Sequence, residues 1–262
     1  MRQYLGYFVA LCGLLVACKP TATESAFVPV PAIQCEEIDF HDSVPAQIGP
    51  DKPLKFGFEL EIPTQDHPQL RQQILGWVRD LLGESYQAES LETDEMLRFF
   101  ANDFYSMAEY YGDCCYHAHL EKIFENDYII SFKYSDHAGS GGYHDMSQTF
   151  GLSVLKADGS DVSAILFNHP EKLQGKLLQG LARYFNVETT DEVKLKLRDD
   201  AATNLPLPML PPWVEDDGIH FLYRQHEIAP ASAGEPECIL TIESLHDLLC
   251  PEVEPILYSA QK

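Results

Sequence analysis

The sequence is short of positive charge. It contains 18 Lys and Arg residues against 41 Asp and Glu residues, which gives a formal net charge of -23 at pH 7. Binding to nucleic acid depends on basic faces that displace counterions from phosphates, so nucleic acid is excluded as a natural partner. Anionic lipid headgroups also repel an acidic domain. The composition favours a neutral or cationic partner, unless the acidity serves solubility alone.

The chain also lacks an apolar run long enough to cross a bilayer, which takes about 20 helical residues. The apolar stretch at residues 4–16 is too short for this; it follows Arg2 and ends in small residues, as a secretory signal does. Leu15, Val16, Ala17 and Cys18 then resemble the lipobox of bacterial lipoproteins. The resemblance implies a signal peptide over residues 1–17 and a lipid on Cys18 that anchors the protein to the membrane. It places the protein in the bacterial cell envelope, with the outer membrane or periplasm favoured if two membranes are present. A plain signal peptide with a chance cysteine is the alternative.

Five cysteines follow the anchor, and because this number is odd, at least one thiol is free or pairs between molecules. Export permits disulfides. Cys238 and Cys250 are close in sequence and belong to one compact unit, so we predict a bridge between them. Adjacent Cys114 and Cys115 rarely bond each other, so at most one reaches a distant partner such as Cys35.

Residues 18–50 show no sustained helical or strand period and contain repeated prolines, so we predict a lipidated tether. Beyond it, residues 54–62 alternate apolar and polar side chains as a half-buried strand does. Helical spacing follows over residues 70–82, 97–111 and 173–185, and Asp158-Gly159 and Asp216-Asp217-Gly218 mark hairpin turns. Strands grouped around a few helices predict an α+β fold of antiparallel sheets with packed helices.

Two glycine-containing motifs carry a family resemblance. The first is Ser140-Gly141-Gly142-Tyr143-His144, and the second is Glu227-Ile228-Ala229-Pro230 with Gly234. In this order they resemble the extracytoplasmic domain, of unknown function, that the anti-sigma factor RsiV and the peptidoglycan deacetylase PdaC share.

The resemblance implies two consecutive α/β subunits, a PdaC-like one over residues 51–160 and an RsiV-like one over residues 161–255. It also implies a non-catalytic module. Tyr143, His144 and Glu227 then become candidate ligand-binding residues, and Gly141, Gly142, Pro230 and Gly234 become structural residues of the motifs. The alternative is that both motifs only shape turns.

Catalytic motifs are missing. Ser140 lacks the flanking pattern of a nucleophile elbow, and the sequence contains no His-Glu-x-x-His zinc motif, P-loop or dinucleotide fingerprint. His117 and His119 share a strand face, with Asp113, His137 and His144 nearby, so a surface zinc site is an alternative. Exposed neutral imidazoles explain the pattern more simply. We therefore expect no metal, no cofactor and no enzyme activity.

The sequence thus predicts a lipid-anchored binding or sensor domain of the cell envelope. Its acid excess suits a cationic protein such as lysozyme, which the RsiV domain senses. A peptidoglycan- or glycan-binding accessory module of cell-wall turnover is the main alternative, and an enzyme of unrecognised type is a third.

Overall fold

The structure, a computed structural model, describes residues 27–46, 52–83, 86, 92–108, 114–140 and 146–258. The predicted signal peptide and Cys18 lie outside these ranges. Within them, no helix combines the length and the apolar character that a membrane span needs. The architecture is α+β, as predicted, with a five-stranded sheet, a three-stranded sheet and packed helices.

The larger sheet has the order β1-β2-β3-β4-β5. Its strands are Cys35–Val44 (β1), Leu54–Pro63 (β2), Cys114–Glu125 (β3), Ile129–Ser140 (β4) and Met146–Leu155 (β5). All neighbours pair antiparallel except β2 and β3, which run parallel. A parallel pair needs a crossover connection. Helices α1 (Pro68–Leu82) and α2 (Thr93–Ala108) lie in that connection.

Both crossover helices cover one face of the sheet. Helix α1 begins with a proline in its first turn, where the missing N–H costs nothing, and buries an apolar stripe that includes Ile74 and Val78. Arg71, on the same buried side of the helix, is 6% exposed. Its Nη1 donates to Glu36 Oε1 at 2.6 Å and to the carbonyl oxygen of Pro63 at 2.7 Å. The guanidinium therefore joins α1 to both β1 and β2.

The C-terminal part is built around a small antiparallel sheet with the order β6-β7-β8. Its strands are Trp213–Glu215 (β6), Gly218–Leu222 (β7) and Glu237–Leu240 (β8), so the predicted hairpin at residues 216–218 is confirmed. Helix α3 (Gln174–Phe185) packs on β8. Thr241 caps the next helix by accepting a hydrogen bond from the backbone N–H of Ser244. The remaining helices are α4 (Thr190–Lys194), α5 (Asp199–Thr203), α6 (Ile242–Leu245) and α7 (Glu254–Tyr258).

Two hydrophobic cores divide the molecule. The first extends from Ile33 to Val154, and the second joins the β3–β4 turn region to the chain from Val162 to Leu257. Buried polar contacts tie the two together. Ser153 Oγ accepts a hydrogen bond from the backbone N–H of Val214 at 2.8 Å and lies 2.7 Å from Ser131 Oγ.

A buried ion pair closes the same junction. Lys156 Nζ lies 2.7 Å from Glu125 Oε1, and the lysine side chain is 1% exposed. The ammonium also donates to the carbonyl oxygen of Asn126 at 2.8 Å. The Asn126 side chain in turn donates to the carbonyl oxygen of Ile256 at 2.8 Å, which links the β3–β4 turn to α7.

The structure corrects two predictions. Residues 35–44 are not tether, because β1 pairs with β2 along its full length and packs Ile38 and Phe40 against the first core. The predicted disulfide is also wrong. Cys238 and Cys250 are free thiols, since Cys238 is buried against Gly180 of α3 while Cys250 Sγ donates to Asn168 Oδ1 at 3.0 Å.

Candidate functional site

The sheet face opposite α1 and α2 is the strongest candidate for a functional surface. We call it the open face, because much of it is solvent-exposed. The indole of Trp213 covers one end of it, at Gly151 of β5. Strand registers place the following residues on the open face: Glu37, Asp39, His41, Lys55, Gly57, Glu59, Glu61, Cys115, His117, His119, Glu121, Lys133, Ser135, His137, Ser147 and Thr149.

Two adjoining depressions mark the open face. One has a volume of about 440 Å³ and contains the histidines of β1, β3 and β4. The other, of about 380 Å³, is lined mainly by acidic side chains of β1, β2 and β3. They share Glu59 and His119. The open face is therefore one continuous polar surface, with imidazoles at one end and carboxylates at the other.

Acidic residues outnumber lysines on this surface. Glu121 pairs with Lys133 at 3.1 Å, and Glu61 Oε2 accepts the backbone N–H of Lys122 at 2.9 Å. Glu59 lies 3.5 Å from an imidazole nitrogen of His119. The side chain of Glu59 is 65% exposed, and that of Asp39 is 72% exposed. The carboxylates of Glu59 and Asp39 are therefore accessible to a charged partner.

A row of three histidines crosses the open face. Strand pairing aligns His41 of β1 with Gly57 of β2, Gly57 with His117 of β3, and His117 with His137 of β4. His137 Nδ1 lies 3.1 Å from Ser147 Oγ of β5. Sequence analysis singled out His117 and His137, but it missed His41 because residues 35–44 were assigned to the tether.

A second histidine cluster lies in the small sheet. The side chain of His220 is 6% exposed. Its Nδ1 lies 2.7 Å from Glu237 Oε1 and its Nε2 lies 2.7 Å from Asp217 Oδ1. Burial acts to lower the pKa of His220, but these two hydrogen bonds and the charge of Glu215 outweigh it and raise the pKa. The ring stacks on Trp213, with centroids 5.4 Å apart.

Two half-buried carboxyl groups stand where the second motif's loop meets the large sheet. Burial raises the pKa of Asp136 and of Glu235. Raised carboxyl pKa values suit general acids in enzymes. Here the Tyr116 hydroxyl donates to Asp136 Oδ2 at 3.1 Å, and Glu235 is hydrogen-bonded to Thr149. Both carboxyl groups therefore form hydrogen bonds within the protein, Asp136 with β3 and Glu235 with β5.

The predicted ligand residue Glu227 also forms hydrogen bonds within the protein. Its Oε1 accepts the backbone N–H of Met209 and its Oε2 accepts that of Arg224, both at 2.8 Å. Pro230 begins a turn that ends at Gly234, whose φ of +72° lies in the region that favours glycine. Tyr143, His144, Gly141 and Gly142 lie outside the described residues.

Comparison with known proteins finds likeness in fold. No family model matches the chain, and no curated protein matches it. A DUF3298 family protein from Bacteroides fragilis superimposes with a TM-score of 0.65 at 15% identity, over 89% of this chain and 99% of that one. The fold is that of DUF3298 proteins. A second such structure, from Pseudomonas aeruginosa, gives a TM-score of 0.65 at 14% identity, over 85% of this chain and 96% of that one. DUF3298 is the RsiV/PdaC-like domain, and the predicted α+β fold is confirmed.

Proposed function

We propose that this chain is a lipid-anchored, non-catalytic binding or sensor module of the bacterial cell envelope, whose open face binds a cationic protein such as lysozyme. The observation that supports the proposal is the excess of exposed carboxylates on the open face. Glu37, Asp39 and Glu59 project from the neighbouring strands β1 and β2, and the face carries two lysines, of which Lys133 pairs with Glu121.

Charge of this kind acts mainly on the rate of association. Exposed ion pairs each contribute about 0–1 kcal/mol, so single contacts add little affinity. A field of one sign, however, raises the encounter rate with an oppositely charged partner by about 10-fold or more at low salt. The effect declines as the ionic strength increases, since the Debye length shrinks to about 8 Å at physiological salt. Binding through the open face should therefore depend strongly on salt.

The test is binding of the purified full-length protein to lysozyme, measured by surface plasmon resonance at several salt concentrations. The variant Glu37→Gln, Asp39→Asn, Glu59→Gln removes three charges from the open face. A control variant, Glu171→Gln, Asp247→Asn, Glu252→Gln, removes three exposed charges from the C-terminal part. We expect the first variant to lower the association rate about 10-fold at low salt, and the control to change it much less.

Two outcomes would contradict the proposal. Equal losses in both variants would show that net charge acts without a defined surface. An unmodified protein that does not bind lysozyme would exclude that partner. Co-sedimentation with purified peptidoglycan tests the glycan-binding alternative, which the open face favours less because its described residues include no exposed Phe, Tyr or Trp side chain for stacking on sugar rings.

A further inference from the structure

The strongest unassigned feature is the space above Gly57. A Cβ atom at Gly57 would lie 2.7 Å from His41 Nδ1 and 2.7 Å from His117 Nδ1. The Nδ1 atoms of His41 and His117 thus approach this Cβ position from the two strands that flank β2. Their separation is at most 5.4 Å, which is twice 2.7 Å. Gly57 has no side chain, so nothing of its own fills the gap.

The surroundings of His41 set its tautomer. Its Nε2 lies 2.8 Å from Asp39 Oδ1, and a carboxylate accepts a proton from an imidazole N–H. With the proton on Nε2, the lone pair of a neutral imidazole is on Nδ1, the atom above Gly57. Metal-binding histidines have this arrangement, in which a carboxylate holds the distal N–H and orients the ring.

From this geometry we infer that the open face holds a divalent transition-metal ion, with Zn²⁺ as the representative case, between His41 Nδ1 and His117 Nδ1. Imidazole nitrogen suits Zn²⁺, Cu²⁺ and Ni²⁺, at about 2.0–2.1 Å for zinc. The His41 side chain is 53% exposed, so it has room to turn and close the remaining distance. This inference goes beyond the proposed function and does not depend on it.

The site offers two protein ligands. Among the described residues, no group of three His, Cys, Asp or Glu side chains is placed to hold a metal ion. Water would complete the coordination shell at two positions of a tetrahedral site, one more than catalytic zinc sites leave open. Such a site retains positions that a ligand from another molecule can occupy.

Calorimetric titration of the full-length protein with ZnCl₂, in excess Mg²⁺, tests the inference. Mg²⁺ occupies carboxylate sites, because hard cations prefer oxygen ligands, but does not compete for imidazole nitrogen. We expect one Zn²⁺ per chain, and loss of that binding in His41→Gln and in His117→Gln. Asp39→Asn should weaken binding by about 10- to 100-fold, the range for residues that orient metal ligands.

Two further variants separate this site from its neighbours. Gly57→Ala keeps both histidines but places a methyl group in the gap, so it should also reduce zinc affinity, while circular dichroism reports whether the fold is kept. His119→Gln, on the same strand and face, should leave binding unchanged. The inference is overturned if the unmodified protein takes up no zinc under these conditions, or if zinc binding persists in the His41→Gln, His117→Gln double variant.

Discussion

The His220 cluster leads to a prediction about stability and pH. His220 is buried and contacts two carboxylates through both ring nitrogens. Both nitrogens can donate only when the ring is protonated, so the folded protein favours the imidazolium. Replacement by glutamine removes the charge and at least one of these hydrogen bonds. The carboxylates of Glu215, Asp217 and Glu237 then face one another without a cation.

The magnitude follows from the burial of the cluster. Removal of one member of a buried ion pair costs about 3–5 kcal/mol. Here the side chains of Asp217 and Glu237 are 55% and 35% exposed, so water screens part of the effect. We therefore expect the His220→Gln variant to lose about 3 kcal/mol of unfolding free energy at pH 6.

The pH dependence has a defined sign. Folding raises the pKa of His220 above its ordinary value. The stabilisation from protonation is therefore complete below the unfolded pKa, about 6.5, and is lost as the pH rises through the folded pKa. The slope for one such group reaches at most about 1.4 kcal/mol per pH unit.

Urea unfolding of both proteins between pH 6 and pH 9 tests this reasoning. The free-energy difference between the unmodified protein and His220→Gln should be largest at pH 6 and should decrease as the pH rises. Taking the difference removes the pH dependence of the other ionisable groups. A difference that is constant across this range, or that grows with pH, would refute the argument that the folded state binds the protonated ring.

Three further predictions concern the junction, the N-terminus and the thiols. Lys156→Met should lower the unfolding free energy by about 3 kcal/mol, since it leaves Glu125 with only Lys122, which is 3.4 Å away and more exposed, as its cation; denaturant titration checks this, and adding Glu125→Gln should restore part of the loss. A chain that starts at residue 51 lacks β1 and should melt at a lower temperature than one that starts at residue 27; equal melting temperatures would show that β1 is dispensable. Cys250 should be alkylated in the native protein while Cys238 reacts only after unfolding; two thiols that react only after reduction would restore the disulfide.

Much of the fold could be predicted because its signals are local. The alternation in β2 and the turn residues between β6 and β7 each specify structure over a few positions, and the structure contains them. The strand β1 was missed although Ile38 and Phe40 alternate with polar residues, because nearby prolines outweighed a short pattern. The parallel pairing of β2 with β3 depends on residues far apart in sequence, so no local signal specifies it.

The candidate site was less accessible to sequence reasoning. The row of histidines exists only through strand register, which aligns His41, His117 and His137 from three separate segments. The space above Gly57 likewise depends on which side chains flank it. Glu227 was predicted as a ligand residue because it belongs to a motif, yet its contacts are with backbone N–H groups of its own loop region. Motif membership does not distinguish these roles.

The position of β1 has a consequence for self-association. It is the outermost strand of its sheet, so its second edge has no pairing partner among the described strands. Such edges invite the strands of other molecules, and charged side chains discourage this. In β1, Glu36, Glu37, Asp39 and Asp42 would meet their own counterparts if two copies joined edge to edge. Native molecules should therefore resist edge-to-edge pairing into extended sheets, and any aggregation should begin from unfolded chains.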